Sequence, residues 1–313
     1  MAKQDDILKR RVRDIKLKKN MTAAELLSQM KEMGGFSGAH MAEGTEIMRA
    51  MLSDNDSFNF LSFPADIVST GLRGVLAGMV KHFDAIITTG GMFDHDIARA
   101  FGGVYSIGTF NADDNFLHKK KIYRLGNVFI GQDEYGLKVE EATTKILKEI
   151  FSQDRKEFSP SDLAREFGKR ITDEGSILRQ AYLNNVPIYC PGIFDGAFGT
   201  QITLFAQDHD IKINLIKDEL ALSNLSFDEK VTGALMIGGG ISKHHVIWWN
   251  QFKGGLDYAV YITTASQYDG SLSGARLTEA VSWGKIKEQA KYTTIDGDAT
   301  IILPFMMAAL DVV

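Results

Sequence analysis

The chain has 313 residues, 44% of them hydrophobic and 24% charged, a composition ordinary for a globular protein with a sizeable core. A net charge of −5 speaks against a general nucleic-acid binder, and a single cysteine, Cys190, excludes an internal disulfide framework and suits a reducing cytoplasm. No apolar run approaches the ~20 residues of a membrane span, and the opening "MAKQDDILKRR" has no apolar stretch behind its basic residues, so it does not read as a secretory signal.

The first predicted feature is a basic run over 9–19, "KRRVRDIKLKK", read either as a solvated face or as an arm touching an acidic partner or a neighbouring subunit. Thr22 with Glu25 three residues on is a capping-box pattern, which opens an amphipathic helix over "TAAELLSQMKEM". "GGFSGAH" (34–40) is expected to break it. From residue 58 short apolar runs alternate with helical stretches. "FNFLSF" (58–63) reads as a buried strand, 66–83 as one helix, "DAIITTGG" (84–91) as a strand ending in glycines, and "DIARAF" (96–101) as the start of another helix. Ser159 as N-cap and Pro160 at the first helical position open a helix at "SPSDLAREF". "VPIYCPG", "IKINLI", "GALMIGGG" and "DYAVYITTA" repeat the strand theme. The expected fold is α/β, a Rossmann-like, mostly parallel sheet with helices on both faces. An N-terminal helical extension over 1–57 precedes the main domain over 58–313.

"ITTGG" (87–91) and "MIGGG" (236–240) set glycines just after apolar strands. Such a strand end lets backbone approach a phosphate while the next helix offers its N–H groups, although a plain turn also wants glycine. Neither run fits G-x-G-x-x-G. His244 and His245 are adjacent, so on a helix they diverge, and "DHD" (94–96, 208–210) has no matching ligand group; no metal site is expected. His244 is a candidate proton carrier or a water-paired helix-start histidine.

The densest constellation is "QYDGSLSGARLTEAVSWGKI" (267–286). Lys285 follows Trp283 with one glycine between them. An amine packed on an indole is costly to charge, which favours a neutral nucleophile able to form imines. The plainer alternative lays the lysine stem on Trp283 with its ammonium in water. Asp269 and Glu279 suit a cationic ligand, with Trp283 offering a cation–π face, or else they serve helix ends.

These stretches closely resemble deoxyhypusine synthases over about residues 58–311. The resemblance is most specific in "GGGISKHH" (238–245), "DYAVYITTA" (257–265), "YDGSLSGARLTEAVSWGKI" (268–286) and "GDA" (297–299), and "TTGG" (88–91), "RLGN" (124–127) and "CPGIFDGAFG" (190–199) support it. It implies a cytoplasmic homotetramer that uses NAD to oxidise spermidine, holds the 4-aminobutyl group on Lys285 as an imine, and passes it to a lysine of the hypusine-type translation factor. His244 then moves protons. Glu279, Trp283 and Tyr261 match substrate-pocket positions, beside Asp269 and Ser271 of the Gly/Ser loop. Lys243 matches a lysine of unclear role. For NAD the matching positions are Asp66, Ser69, Thr88, Thr89, Gly90, Asp195, Gly239, Thr264, Ser273, Asp298 and Ala299, with Asp94 or Asp96 for the adenosine ribose.

Leu272 and Thr200 stand where the eukaryotic members carry acids that hold spermidine's amines, and they resemble archaeal and bacterial members instead. The choice of amine therefore stays open. The alternatives are homospermidine synthase-like transfer to putrescine or another amine, and a non-catalytic NAD-binding regulator.

Overall fold

The computed structural model describes residues 9, 11–152, 155–227 and 230–310. The segment read as no secretory signal (1–8), Arg10 of the basic run and the last residues of the main domain (311–313) lie outside the described residues. Two helices come first, α1 (Ala23–Met33) and α2 (Phe36–Ser53). The capping box forms as expected, with Thr22 Oγ1 accepting from Glu25 N and the Glu25 carboxylate from Thr22 N. Gly34 ends α1 in the left-handed region, the expected break, and the chain re-enters a helix at Phe36. Met48 and Met51 of α2 are fully buried in the main core, which makes α2 part of the sheet's packing.

The sheet then begins: β1 (Ser57–Ser62), α3 (Leu72–Met79), β2 (Ala85–Ile87) and α4 (Gly90–Ala100). The single helix expected over 66–83 is divided. Thr70 leaves the helical region, its hydroxyl bonding Ile67 O and accepting from Leu72 N, so short 3₁₀ turns at Asp66–Ser69 and Val80–His82 flank α3. α4 starts at Gly90, six residues before the sequence signal. An excursion unforeseen from sequence follows, with β3 (Tyr105–Ile107), α5 (Asp114–Lys119), β4 (Ile122–Leu125) and β5 (Val128–Gly131) forming a separate antiparallel sheet of order β3-β5-β4. The "RLGN" stretch supplies its hairpin turn, Gly126 taking a φ of 60°.

The remaining elements are α6 (Lys138–Phe151), β6 (Glu157–Phe158), α7 (Pro160–Arg170), α8 (Ile177–Leu183), β7 (Ile188–Tyr189), α9 (Ala197–Asp208), β8 (Lys212–Ile213), α10 (Leu215–Ser226), β9 (Val231–Ile237), α11 (Gly240–Gln251), β10 (Leu256–Thr263), α12 (Leu277–Ser282), β11 (Ile286–Asp296) and α13 (Ala299–Leu310). Ser159 caps α7 as expected, in a capping box with Asp162. "IKINLI" departs from its reading: β8 pairs with β6 in a small two-stranded sheet, outside the main one.

The main sheet runs β11-β10-β9-β1-β2-β7, every pair parallel. Alternate side chains of each strand enter opposite layers, as strand geometry requires. Leu61, Leu235 and Val260 join the layer with α2, while Phe60, Ala234, Met236 and Tyr261 join the layer with α11. The chain builds outward from β1 through β2 to β7, then returns to β9 on the other side of β1. The crevice beyond the carboxyl ends of β1 and β9 is therefore the topological switch point, where open α/β sheets bind ligands.

Candidate active site

Two cavities matter here, one at this edge and one between α11 and α12. The first, about 160 Å³, lies at the switch point and is lined by residues that include Asp66, Gly238, Thr264, Asp298 and Ala299. The glycine run beside it has a physical explanation at every position. Gly238 and Gly240 take φ of 65° and 68°, and a Cβ on Gly239 would come within 2.3 Å of Ser273 Cα. α11 and α4 begin with no side-chain cap, leaving first-turn N–H groups without a capping side chain at the strand ends. At the second strand end Gly90 lies against the Asp195 carbonyl, where a Cβ would meet it at 2.6 Å. Thr89 precedes it as N-cap, and Asp195 is exposed.

Four of the positions matched to NAD lie deeper. Ser69 is buried with its hydroxyl on Asp66 O, and Thr88 is buried with its hydroxyl on Phe63 O. Asp94, 1% exposed, accepts from the Tyr135 hydroxyl and from Ala197 N and Phe198 N, capping α9; its burial raises its pKa. Asp96, 0% exposed, binds Arg73 Nε at 2.7 Å, the Ser176 hydroxyl at 2.7 Å, and Ile177 N and Leu178 N at the start of α8. Both carboxylates face helix starts inside the fold.

The second cavity, about 130 Å³, is lined by Lys243, His244, Leu272, Arg276, Glu279, Trp283 and Lys285 among others. α12 ends at Ser282 with Trp283 as its C-cap, and Gly284 takes a φ of 67° in a helix-ending turn, with Gly284 N on Val281 O and Lys285 N on Ala280 O. The turn leaves Trp283 62% exposed and drives Lys285 inward to 9%. Lys285 O accepts from Leu256 N, which anchors this backbone to the start of β10.

Lys285 Nζ lies 3.4 Å from His244 Nε2, 5.3 Å from the Trp283 ring centroid and 5.8 Å from that of Trp248. Burial first, then the charges of Lys285, His245 and Lys243, lowers the His244 pKa, so the ring is neutral at neutral pH. A neutral imidazole at that distance can take a proton from the amine. His245 diverges as adjacency on a helix demands and meets Glu219 at 3.1 Å. Trp248, one helical turn after His244, is an aromatic neighbour of both His244 and Lys285 that the sequence reading passed over, although the i, i+4 spacing carried the signal. Ile247 and Arg276 also line the cavity without having been singled out.

Other candidates serve the loop over 266–276. Tyr261 is fully buried and its hydroxyl donates to Ser273 O at 2.5 Å, which places it beneath the loop and not on the cavity wall. Asp269 and Ser271 are exposed and bond within the loop, Ser271 N donating to Asp269 Oδ1 at 2.7 Å; the Ser271 contact lowers the Asp269 pKa. Thr200 sits in the first turn of α9 with its hydroxyl on Gly196 O.

Fold and site together define a Rossmann-like α/β enzyme with a shielded lysine–histidine pair and a crevice at the strand ends. The sequence model of one family, deoxyhypusine synthase, matches residues 25–310. The chain belongs to the deoxyhypusine synthase family. It is 49% identical over 308 residues to a "Probable deoxyhypusine synthase" of Picrophilus torridus, covering 97% of this chain and 98% of that one. A protein of the same description from Thermoplasma volcanium is 50% identical over 306 residues, with the same coverage. The crystal structure of a "putative deoxyhypusine synthase" from Entamoeba histolytica shares the fold, with a TM-score of 0.65 at 21% identity over 95% of this chain and 96% of that one. Among the described residues no helix is long and apolar enough to cross a membrane, and no cluster of metal-ligating side chains occurs.

Proposed function

We propose that the chain transfers the 4-aminobutyl group of spermidine to a lysine of the hypusine-type translation factor, with NAD as cofactor, in the cytoplasm. The observation that carries this reading is Lys285 Nζ, nearly enclosed and 3.4 Å from a histidine held neutral. The switch-point crevice suits a dinucleotide: its glycine turn permits close backbone approach, and Asp66, Thr264, Asp298 and Ala299 line it. NAD, when bound, supplies a hydride acceptor that gives the hydride back at the end of the cycle.

His244 takes the proton that leaves Lys285 a free amine. Lys285 Nζ adds to the oxidised carbon of the donor, the bond to 1,3-diaminopropane breaks, and the aminobutyl group remains on Lys285 as an imine. An acceptor lysine displaces Lys285, and His244 moves the protons of both exchanges. Glu279 offers a carboxylate to the donor's ammonium, and Trp283 an indole face. A homotetramer would cover the exposed apolar surface of Ile241, Trp248 and Phe252 along α11.

A second reading keeps the chemistry and makes putrescine or another amine a substrate, in the manner of homospermidine synthase. Leu272, 46% exposed on the cavity wall, favours it, because a methyl-bearing wall pairs with methylenes and offers no charge partner. One experiment separates the readings: incubation with NAD and a panel of labelled amines, with and without the translation factor, followed by borohydride trapping and measurement of released 1,3-diaminopropane. A spermidine adduct that disappears in Lys285→Ala and moves to the factor supports the first reading. Transfer to putrescine alone supports the second. No adduct with any amine makes the chain a non-catalytic NAD-binding protein.

A further inference from the structure

One buried charge next to the site has no part in the imine chemistry. Lys243, on α11 just before His244, is 2% exposed. Among the described residues no carboxylate lies in ion-pair contact with it; burial lowers its pKa to about 8, opposed by the charge of Glu279 across the cavity lining. Its ammonium instead donates to Leu272 O at 2.9 Å and Ala275 O at 2.6 Å, and sits 3.8 Å from the Tyr261 ring centroid. Between those carbonyls Ser273 O accepts from the Tyr261 hydroxyl at 2.5 Å and Thr263 Oγ1 at 3.0 Å. Three carbonyls of one short loop segment thus turn inward onto buried donors of α11 and β10. Leu272 is left on the wall of the amine cavity, and Ser273 packs on Gly239 at the edge of the nucleotide crevice. Burying an ammonium without an ionic partner is unfavourable, so its retention calls for something the charge holds in place.

We propose that Lys243 is a positioning residue for amine binding: its ammonium latches the 271–275 segment in the conformation that sets Leu272, Arg276 and Glu279 around Lys285 and Ser273 against the glycine turn. The proposal rests on reading the Lys285 cavity as the amine site and adds how its wall is preorganised. Lys243 acts through the loop, because its N–H groups are directed at the two carbonyls.

Lys243→Met keeps an unbranched stem over Tyr261 and removes the ammonium; Lys243→Arg keeps the charge and the donors. Hydrogen–deuterium exchange over residues 266–276 is measured on the protein without any amine, and KM and kcat are measured by 1,3-diaminopropane release. In K243M loop exchange accelerates about tenfold or more and the amine KM rises by a similar factor, while kcat stays within about threefold, the pattern expected when binding geometry is loosened and the chemistry is left intact. K243R recovers a measurable part of the lost affinity. Unchanged loop exchange in K243M, or a fall in kcat at constant KM, overturns the assignment. If the native protein acts on no amine, the reading of the cavity fails while the exchange comparison still decides the latch. If K243M does not fold, Lys243→Gln, uncharged and too short to span both carbonyls, carries the same comparison with the same expected directions.

Discussion

Asp96→Asn separates a structural carboxylate from a cofactor-binding one. The Asp96 carboxylate meets Arg73 Nε at 2.7 Å, and Ser176 Oγ and two backbone N–H groups at 2.7–3.2 Å. Arg73 is itself buried, and burial is the largest influence on its guanidinium, opposed by Asp96 and Asp173. The amide keeps the shape of the side chain. It removes the charge that Arg73 needs and turns one acceptor oxygen into a donor facing donors. Removing one partner of a buried pair costs about 3–5 kcal/mol. Asp173 remains at 2.8 Å from Arg73 Nη2, which argues for the lower end of that range. For a chain of this size about 3 kcal/mol lowers Tm by roughly 6 °C or somewhat less. The assay is thermal unfolding by circular dichroism, alongside NAD titration by calorimetry at a temperature where the variant is folded. The expected result is a clear loss of Tm with NAD affinity within about twofold of the native protein. An unaltered Tm with affinity reduced tenfold or more would refute the reasoning and return Asp96 to the ribose.

Lys285→Arg should abolish the borohydride-trapped adduct and leave NAD binding intact, because the guanidinium stays protonated and cannot form an imine; appreciable transfer by that variant ends the assigned role. Because burial and nearby cations lower the pKa of His244, the acid limb of kcat/KM should fall below the ordinary imidazole value of 6.5. Protonation on the acid side removes the base, so activity is lost as pH falls, and His244→Gln should slow transfer by about 10²–10⁴-fold and erase that limb. Leu272→Asp should lower the KM for spermidine, by up to about tenfold if one charge-assisted contact of ~1.5 kcal/mol forms; a Michaelis constant that does not move would show that the side chain stays away from the amine.

The strands that build the site were legible because they are buried on both faces. "GALMIGGG" and "DYAVYITTA" are nearly continuous apolar runs, and their glycines and threonines lie at the strand ends where the crevice opens. Lys285 was legible for a local reason as well: a glycine directly after a tryptophan at the end of a helical stretch permits the left-handed turn that sends the next side chain inward. Elements fixed by long-range partners were not legible. The length of β8 gives no sign that its partner is β6, 55 residues earlier in register, and the exposed β3-β5-β4 sheet carries little apolar periodicity. Asp94 and Asp96 illustrate the same limit, since an acid after a glycine-ended strand reads alike whether it meets a ribose or caps α8 or α9. Only the tertiary contacts separate the two.

The lining of the Lys285 cavity is rich in basic groups, yet its electrostatics need not repel a polyamine. Arg276 is tied to Asp296 at 2.5 Å, and the charge on Lys243 is directed at two loop carbonyls. His244 is neutral near pH 7. Among the side chains that line the cavity Glu279 is then the one carboxylate, and Lys285, in contact with His244, remains as an amine on the same wall. A donor with one ammonium near Glu279 and a methylene run along Leu272 and Ile247 matches that distribution. A second ammonium in the same cavity, that of a diamine as much as of a triamine, would need a carboxylate or carbonyl from outside this lining.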